Sequence, residues 1–164
     1  MSVAKQICTQ ITERLQKEFT VCPAWERTAL PMLEKPIAVI GTVQTKSEEG
    51  AFWNYLGTEW VEALGCSAER YGRRFSAELS ADIYAPREQA EEMEKAIQAI
   101  EEMATEPFEG GVRIQAIRRG EVQSDPVSRY LKCRCTVLCA AYFTVMCDEE
   151  GTILTDFILK GVVQ

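Results

Sequence analysis

The sequence contains no histidine. That absence removes the commonest general base, the usual partner of a serine or cysteine nucleophile and the commonest zinc ligand, so a non-enzymatic role is expected. No run approaches the roughly 20 apolar residues that would span a bilayer, and the opening stretch is amphipathic rather than signal-like, so a cytosolic chain without a membrane partner is expected. Positive charge is in the minority. Eighteen Lys and Arg against twenty-five Asp and Glu give a net charge of −7, which disfavours specific nucleic-acid recognition through phosphates. GxxxxGK[ST], GxGxxG and GxSxG are all missing; Gly65 and the Gly110-Gly111 pair are isolated turn glycines, and no cofactor is expected. CxxC spacing is missing too, and the seven cysteines are an odd number, so neither a thioredoxin-like motif nor a disulfide framework is expected.

What the chain does have is enough apolar mass for a core: 46% of its 164 residues are hydrophobic and 26% charged, a balance that fits one globular domain over 1–164. Val3, Ile7, Ile11, Leu15 and Phe19 recur every four residues opposite Lys5, Glu13, Arg14 and Lys17, which predicts a helix ending near Val21, before Pro23. From Trp25 to Gly57 the signals are β-like but broken by Pro31 and Pro36, with a short apolar run from Pro36 to Val43, and a meander is expected. Lys46-Ser47-Glu48-Glu49-Gly50 reads as a charged turn. The aromatic group Phe52, Trp53, Tyr55 and Trp60 follows, straddling a turn at Gly57.

The clearest strand places Phe75, Ala77, Leu79, Ala81, Ile83 and Ala85 on one face and Ser76, Glu78, Ser80 and Asp82 on the other. Pro86 and Arg87 then open a helix whose apolar stripe is Ala90, Met93, Ile97, Ile100 and Ala104, with Glu88, Glu91, Glu92, Glu94 and Glu102 opposite. Val112, Ile114 and Ala116 alternate with Arg113 and Gln115 in a strand leaving around Arg118-Arg119-Gly120. After a loop at Ser124-Asp125-Pro126, a very long strand places Leu131, Cys133, Cys135, Val137, Cys139, Ala141, Phe143 and Val145 on one face. Asp148-Glu149-Glu150-Gly151 turns the chain into a last strand, Thr152 to Val163, closing a hairpin. The order of elements predicts an α+β fold: a single mixed, mainly antiparallel β-sheet with an N-terminal helix and a second helix packed on one face.

Three patterns could carry chemistry. Cys133-x-Cys135-x-x-x-Cys139 puts three sulfurs on one strand face, which could suggest a soft metal site, but nothing supplies the paired short spacings of a zinc site; small core residues beneath a helix is the plainer account, and no metal is expected. The glutamates from Glu88 to Glu106 fit a solvated helix face better than glycosidase acids, since no cleft is announced. Charge, finally, is segregated: residues 88–106 hold seven Glu against one Lys, whereas 110–135 hold Arg113, Arg118, Arg119, Arg129, Lys132 and Arg134 against Glu121 and Asp125. Ion pairs between adjacent elements would explain that plainly. The sharper account is a head-to-tail interface between copies, which needs two unlike complementary patches on one subunit. Phe52, Trp53, Tyr55 and Trp60 are candidate interface anchors, with core burial as the plain alternative.

The order of elements and three phrases resemble the tail terminator (tail completion) family of long-tailed phages and prophages. The phrases are the strand and helix from Phe75 through Ala104, the segment Gly110 to Ile117, and Asp125 to Arg129 leading into the long strand, together about half the chain. The resemblance implies a structural subunit that forms a homo-oligomeric ring, typically a hexamer, on the head-proximal end of the tail tube. Such a ring stops tube growth and offers the surface for head-tail joining, so its partners would be the tail tube protein and head-tail connector proteins. It would be found in the host bacterial cytoplasm during assembly and then in the virion tail. No catalytic residue travels with the family. The candidate interface residues are Phe52, Trp53, Tyr55, Glu91, Glu94, Glu102, Arg113, Arg118, Arg119 and Arg129. The alternatives are another non-enzymatic tail or neck subunit, or a small cytosolic thiol- or metal-binding protein.

Overall fold

The computed structural model describes residues 2–26, 32–49, 54–63, 65–147 and 153–159; the side chains of 26, 110, 143–147 and 153–159 are outside the description. The fold is α+β, with an N-terminal helix, a second packed helix and a mixed, mostly antiparallel sheet. Helix α1 (Val3–Leu15) starts at Ser2, whose hydroxyl accepts from the Lys5 amide at 3.3 Å, and carries Arg14 in its last turn, where a cation suits the helix dipole. Its buried stripe is Ile7, Cys8, Ile11, Thr12 and Leu15.

The helix stops well before Val21. The chain turns over 16–19, and Thr20–Pro23 forms strand β1, parallel to the first four residues of β2 (Ile37–Glu49), Thr20 opposite Ile37. The four-residue periodicity through Phe19 misleads here because pairing with the apolar run Ile37 to Ile40 outweighs it, and Pro23, lacking an amide hydrogen, ends the strand. Within Trp25 to Gly57, where a meander is expected, the described residues hold one long strand, β2, and the start of another at Tyr55, while 27–31 and 50–53 lie outside the described residues. Strand β2 runs on through Lys46 to Glu49, so the charged stretch is strand and not turn. Lys46 and Glu48, two apart on one face, form an ion pair, and Arg73 donates to Ser47 Oγ at 3.0 Å. Gly50 lies outside the described residues.

Strand β3 (Tyr55–Val61) pairs antiparallel with the start of β4 (Cys66–Ala85), which is twenty residues long and begins nine residues before the clearest alternation. Gly57 is therefore not a turn. It sits inside β3 at a bulge, with φ of +115°, a conformation that L-residues rarely adopt. The second half of β4 alternates as its sequence dictates: Ala77, Leu79, Ala81, Ile83 and Ala85 are buried, while Ser76, Glu78, Ser80 and Asp82 are half-buried on the other face.

After a 3-10 turn at Arg87–Gln89, helix α2 (Ala90–Glu102) buries Met93, Ala96, Ile97 and Ile100, and Met103 follows them inward. Ala90 and Ala104, expected on this stripe, are exposed; the larger Met103 takes the inward place. Strand β5 (Arg113–Arg119) and the two-residue β6 (Gln123–Ser124) precede β7 (Leu131–Cys147), which pairs antiparallel with β8 (Ile153–Leu159), Cys147 opposite Ile153. The closing hairpin is thus present, while residues 148–152 of its turn and 160–163 of the expected last strand lie outside the described residues. The strands are ordered β1-β2-β4-β7-β5, with β3 on β4 and β6 and β8 on β7.

The chain forms two compact units. Unit one comprises Met1–Thr45, Ala77–Glu106 and Ile114–Cys139; unit two comprises Lys46–Ser76, Pro107–Arg113 and Ala140–Gln164. In unit one both helices pack on the sheet face that carries Cys133, Cys135, Val137 and Cys139: the Cys8 thiol of α1 lies within electrostatic reach of Cys139, and Glu94 and Glu101 of α2 within reach of Cys133 and Cys135. On the opposite face a smaller cluster of Ile37, Val39 and Tyr84 is joined by Leu33 and Tyr130, whose hydroxyl accepts from the Leu33 amide at 3.1 Å.

Candidate protein–protein interface

The segregated charges resolve into pairs that stay within the chain and charges that do not. Arg119 donates to Glu94 at 2.5 Å, tying the end of β5 to α2, and the carboxylate beside it holds the guanidinium above its ordinary pKa. Here the plain account, an ion pair between adjacent elements, describes what is seen. Side chains alternate along a strand, so neighbouring Arg118 projects from the face opposite to Arg119. On that open face Lys132 and Arg134 of β7 flank Asp82 of β4, with Arg134 gripping both carboxylate oxygens at 2.6 and 2.8 Å and Lys132 at 3.7 Å. Arg134 remains 58% exposed, and Glu78 shares this face and accepts from Gln44 at 2.7 Å, so that with Arg118 three cations stand against two carboxylates.

The helix-covered side is the reverse. Glu91 is exposed on α2, and Glu102 is exposed and accepts from Gln98 at 2.7 Å. Lys95 is occupied by Glu92 at 2.5 Å. Arg14 of α1 holds Glu106 through two hydrogen bonds, which together keep that carboxyl below its usual pKa. Of the other basic candidates, Arg113 is exposed at the start of β5. Arg129 is exposed with a left-handed φ of +64° in a turn fixed by Asp125, which accepts from the Ser128 amide at 2.9 Å and from its hydroxyl. The same turn leaves Val127 91% exposed.

A second surface belongs to unit two. Each β3 residue shares a face with its partner across the ladder, so Tyr55 lies beside Tyr71, Thr58 beside Glu69 and Trp60 beside Ser67. The bulge at Gly57 brings this about: plain alternation would turn Tyr55 away from Thr58 and Trp60, but the extra residue lets the Tyr55 hydroxyl meet Thr58 Oγ1 at 3.0 Å. The Tyr55 and Tyr71 rings meet edge to face, centroids 5.6 Å apart, and Tyr71 donates to Glu69 at 2.6 Å. Trp60 stays 61% exposed and Tyr55 42%. Phe52 and Trp53 lie outside the described residues. Sequence alternation, clear only from Phe75 onward, does not single out Tyr71; its place beside Tyr55 comes from the ladder.

The cysteine triad of β7 is core. Cys133, Cys135 and Cys139 are 0 to 1% exposed, and burial pushes the Cys135 and Cys139 thiols up to about 12 and raises Cys133 as well. Cys133 donates to the Gly120 carbonyl at 3.3 Å, and Cys8 lies 3.4 Å from Thr42 Oγ1. Such thiols are poor nucleophiles because little thiolate exists near neutrality. Among the described residues, no group of three or more Cys, Asp or Glu side chains is gathered to hold a metal ion.

These features define an α+β chain whose distinctive surfaces are an acidic helical side, an open sheet face bearing Arg118, Lys132 and Arg134, and an aromatic ribbon. No family model matches the chain, and no curated protein matches it in sequence.

Proposed function

We propose that the protein is a structural assembly subunit acting as a tail terminator of a phage or prophage. Copies join head to tail in a ring that caps the tail tube and offers the surface for head-tail joining. The observation that carries this reading is the placement of unlike charge on opposite sides of unit one. Glu91 and Glu102 lie on the helical side, and Arg118, Lys132 and Arg134 on the open face, with charge left over after the internal pairs are made. A heterologous contact between copies needs two different, complementary surfaces, and contacts of this kind close into rings when the rotation permits. The resemblance of the segments 75–104, 110–117 and 125–129 to the family adds the tail and its neighbours as partners. An acidic lumen would let DNA pass without adhering, in keeping with the net charge of −7. Light scattering coupled to size exclusion, followed by negative-stain imaging, tests the reading: closed rings are expected, and a species of 18.5 kDa at every concentration would defeat it.

A further inference from the structure

We draw no further inference here: the strongest candidate, the cleft of about 950 Å³ in unit one between the turn after α1, the start of β1 and the α2 face bearing Ala96 and Ala99, has an apolar floor at Val21 and Pro36 and a rim on which Arg14 already holds Glu18 and Lys95 holds Glu92, and nothing in the structure shows what covers it.

Discussion

The helix-covered side of unit one and the aromatic ribbon of unit two solve opposite problems. In unit one α1 and α2 lie over Leu79, Ile83, Val137 and the three cysteines of β7, and every large apolar side chain among them is out of water. In unit two β3 carries Trp60 and Tyr55 partly in solvent, with Tyr55 held by the bulge at Gly57, an edge-to-face contact with Tyr71 and a hydroxyl pair with Thr58. The first region is complete within one chain. The second leaves Trp60 and Tyr55 partly in water among the described residues, and the proposed contact between copies would use them.

That contrast is sharpened first by breaking the finished region. Leu79→Ala removes a side chain 1% exposed and should cost about 2–5 kcal/mol in chemical denaturation. A loss below that range would mean that the core repacks and is not finished. Gly57→Ala meets nothing within 4 Å, so its cost is backbone alone, about 1–3 kcal/mol. It should also relax the bulge and blue-shift or broaden the tryptophan emission as the ribbon shifts.

The buried thiols supply a pH test of the same region. The folded protein holds the protons of Cys135 and Cys139 more tightly than the unfolded chain, whose thiols titrate near 8.5. Their contribution is fully present below that pH and is lost as pH rises towards about 12. Unfolding midpoints measured across the alkaline range should fall, and replacing both thiols by alanine should flatten the decline. The smallest effect on stability is expected in the unfinished region. Trp60→Ala should change unfolding by no more than about 0.5 kcal/mol while raising the concentration needed for assembly, because an exposed side chain contributes little to folding and much to an interface. A large loss of folding stability would show that Trp60 belongs to the chain's own core.

Much of this fold is legible in the sequence, and the failures have physical causes. The strand from Ala77 to Ala85, the stripe Met93, Ile97 and Ile100, and the alternation Cys133, Cys135, Val137 are read directly because burial enforces a period on them. Strand β1 was hidden, since Phe19 continues the helical spacing and only the distant Ile37 to Ile40 run reveals Val21 as strand. Lys46 to Glu49 were hidden because an exposed strand face carries charge as readily as a turn does. The site was legible as chemistry but not as pairing. Arginines and glutamates were evident, yet nothing local says that Arg119 meets Glu94 while Arg118 turns the other way, or that Asp82 sits between Lys132 and Arg134. Those facts depend on strand order, which joins residues fifty positions apart.

The central claim, that copies meet through unlike charged surfaces, is tested most directly by reversing one surface at a time and mixing the results. Sedimentation velocity should show that Arg118→Glu alone and the double variant Glu91→Lys, Glu102→Lys alone each fail to assemble. The account further predicts that the two variants mixed in equal amounts recover assembly, with both recovery and the wild-type assembly weakening as salt rises. Unimpaired assembly of both separate variants would contradict it.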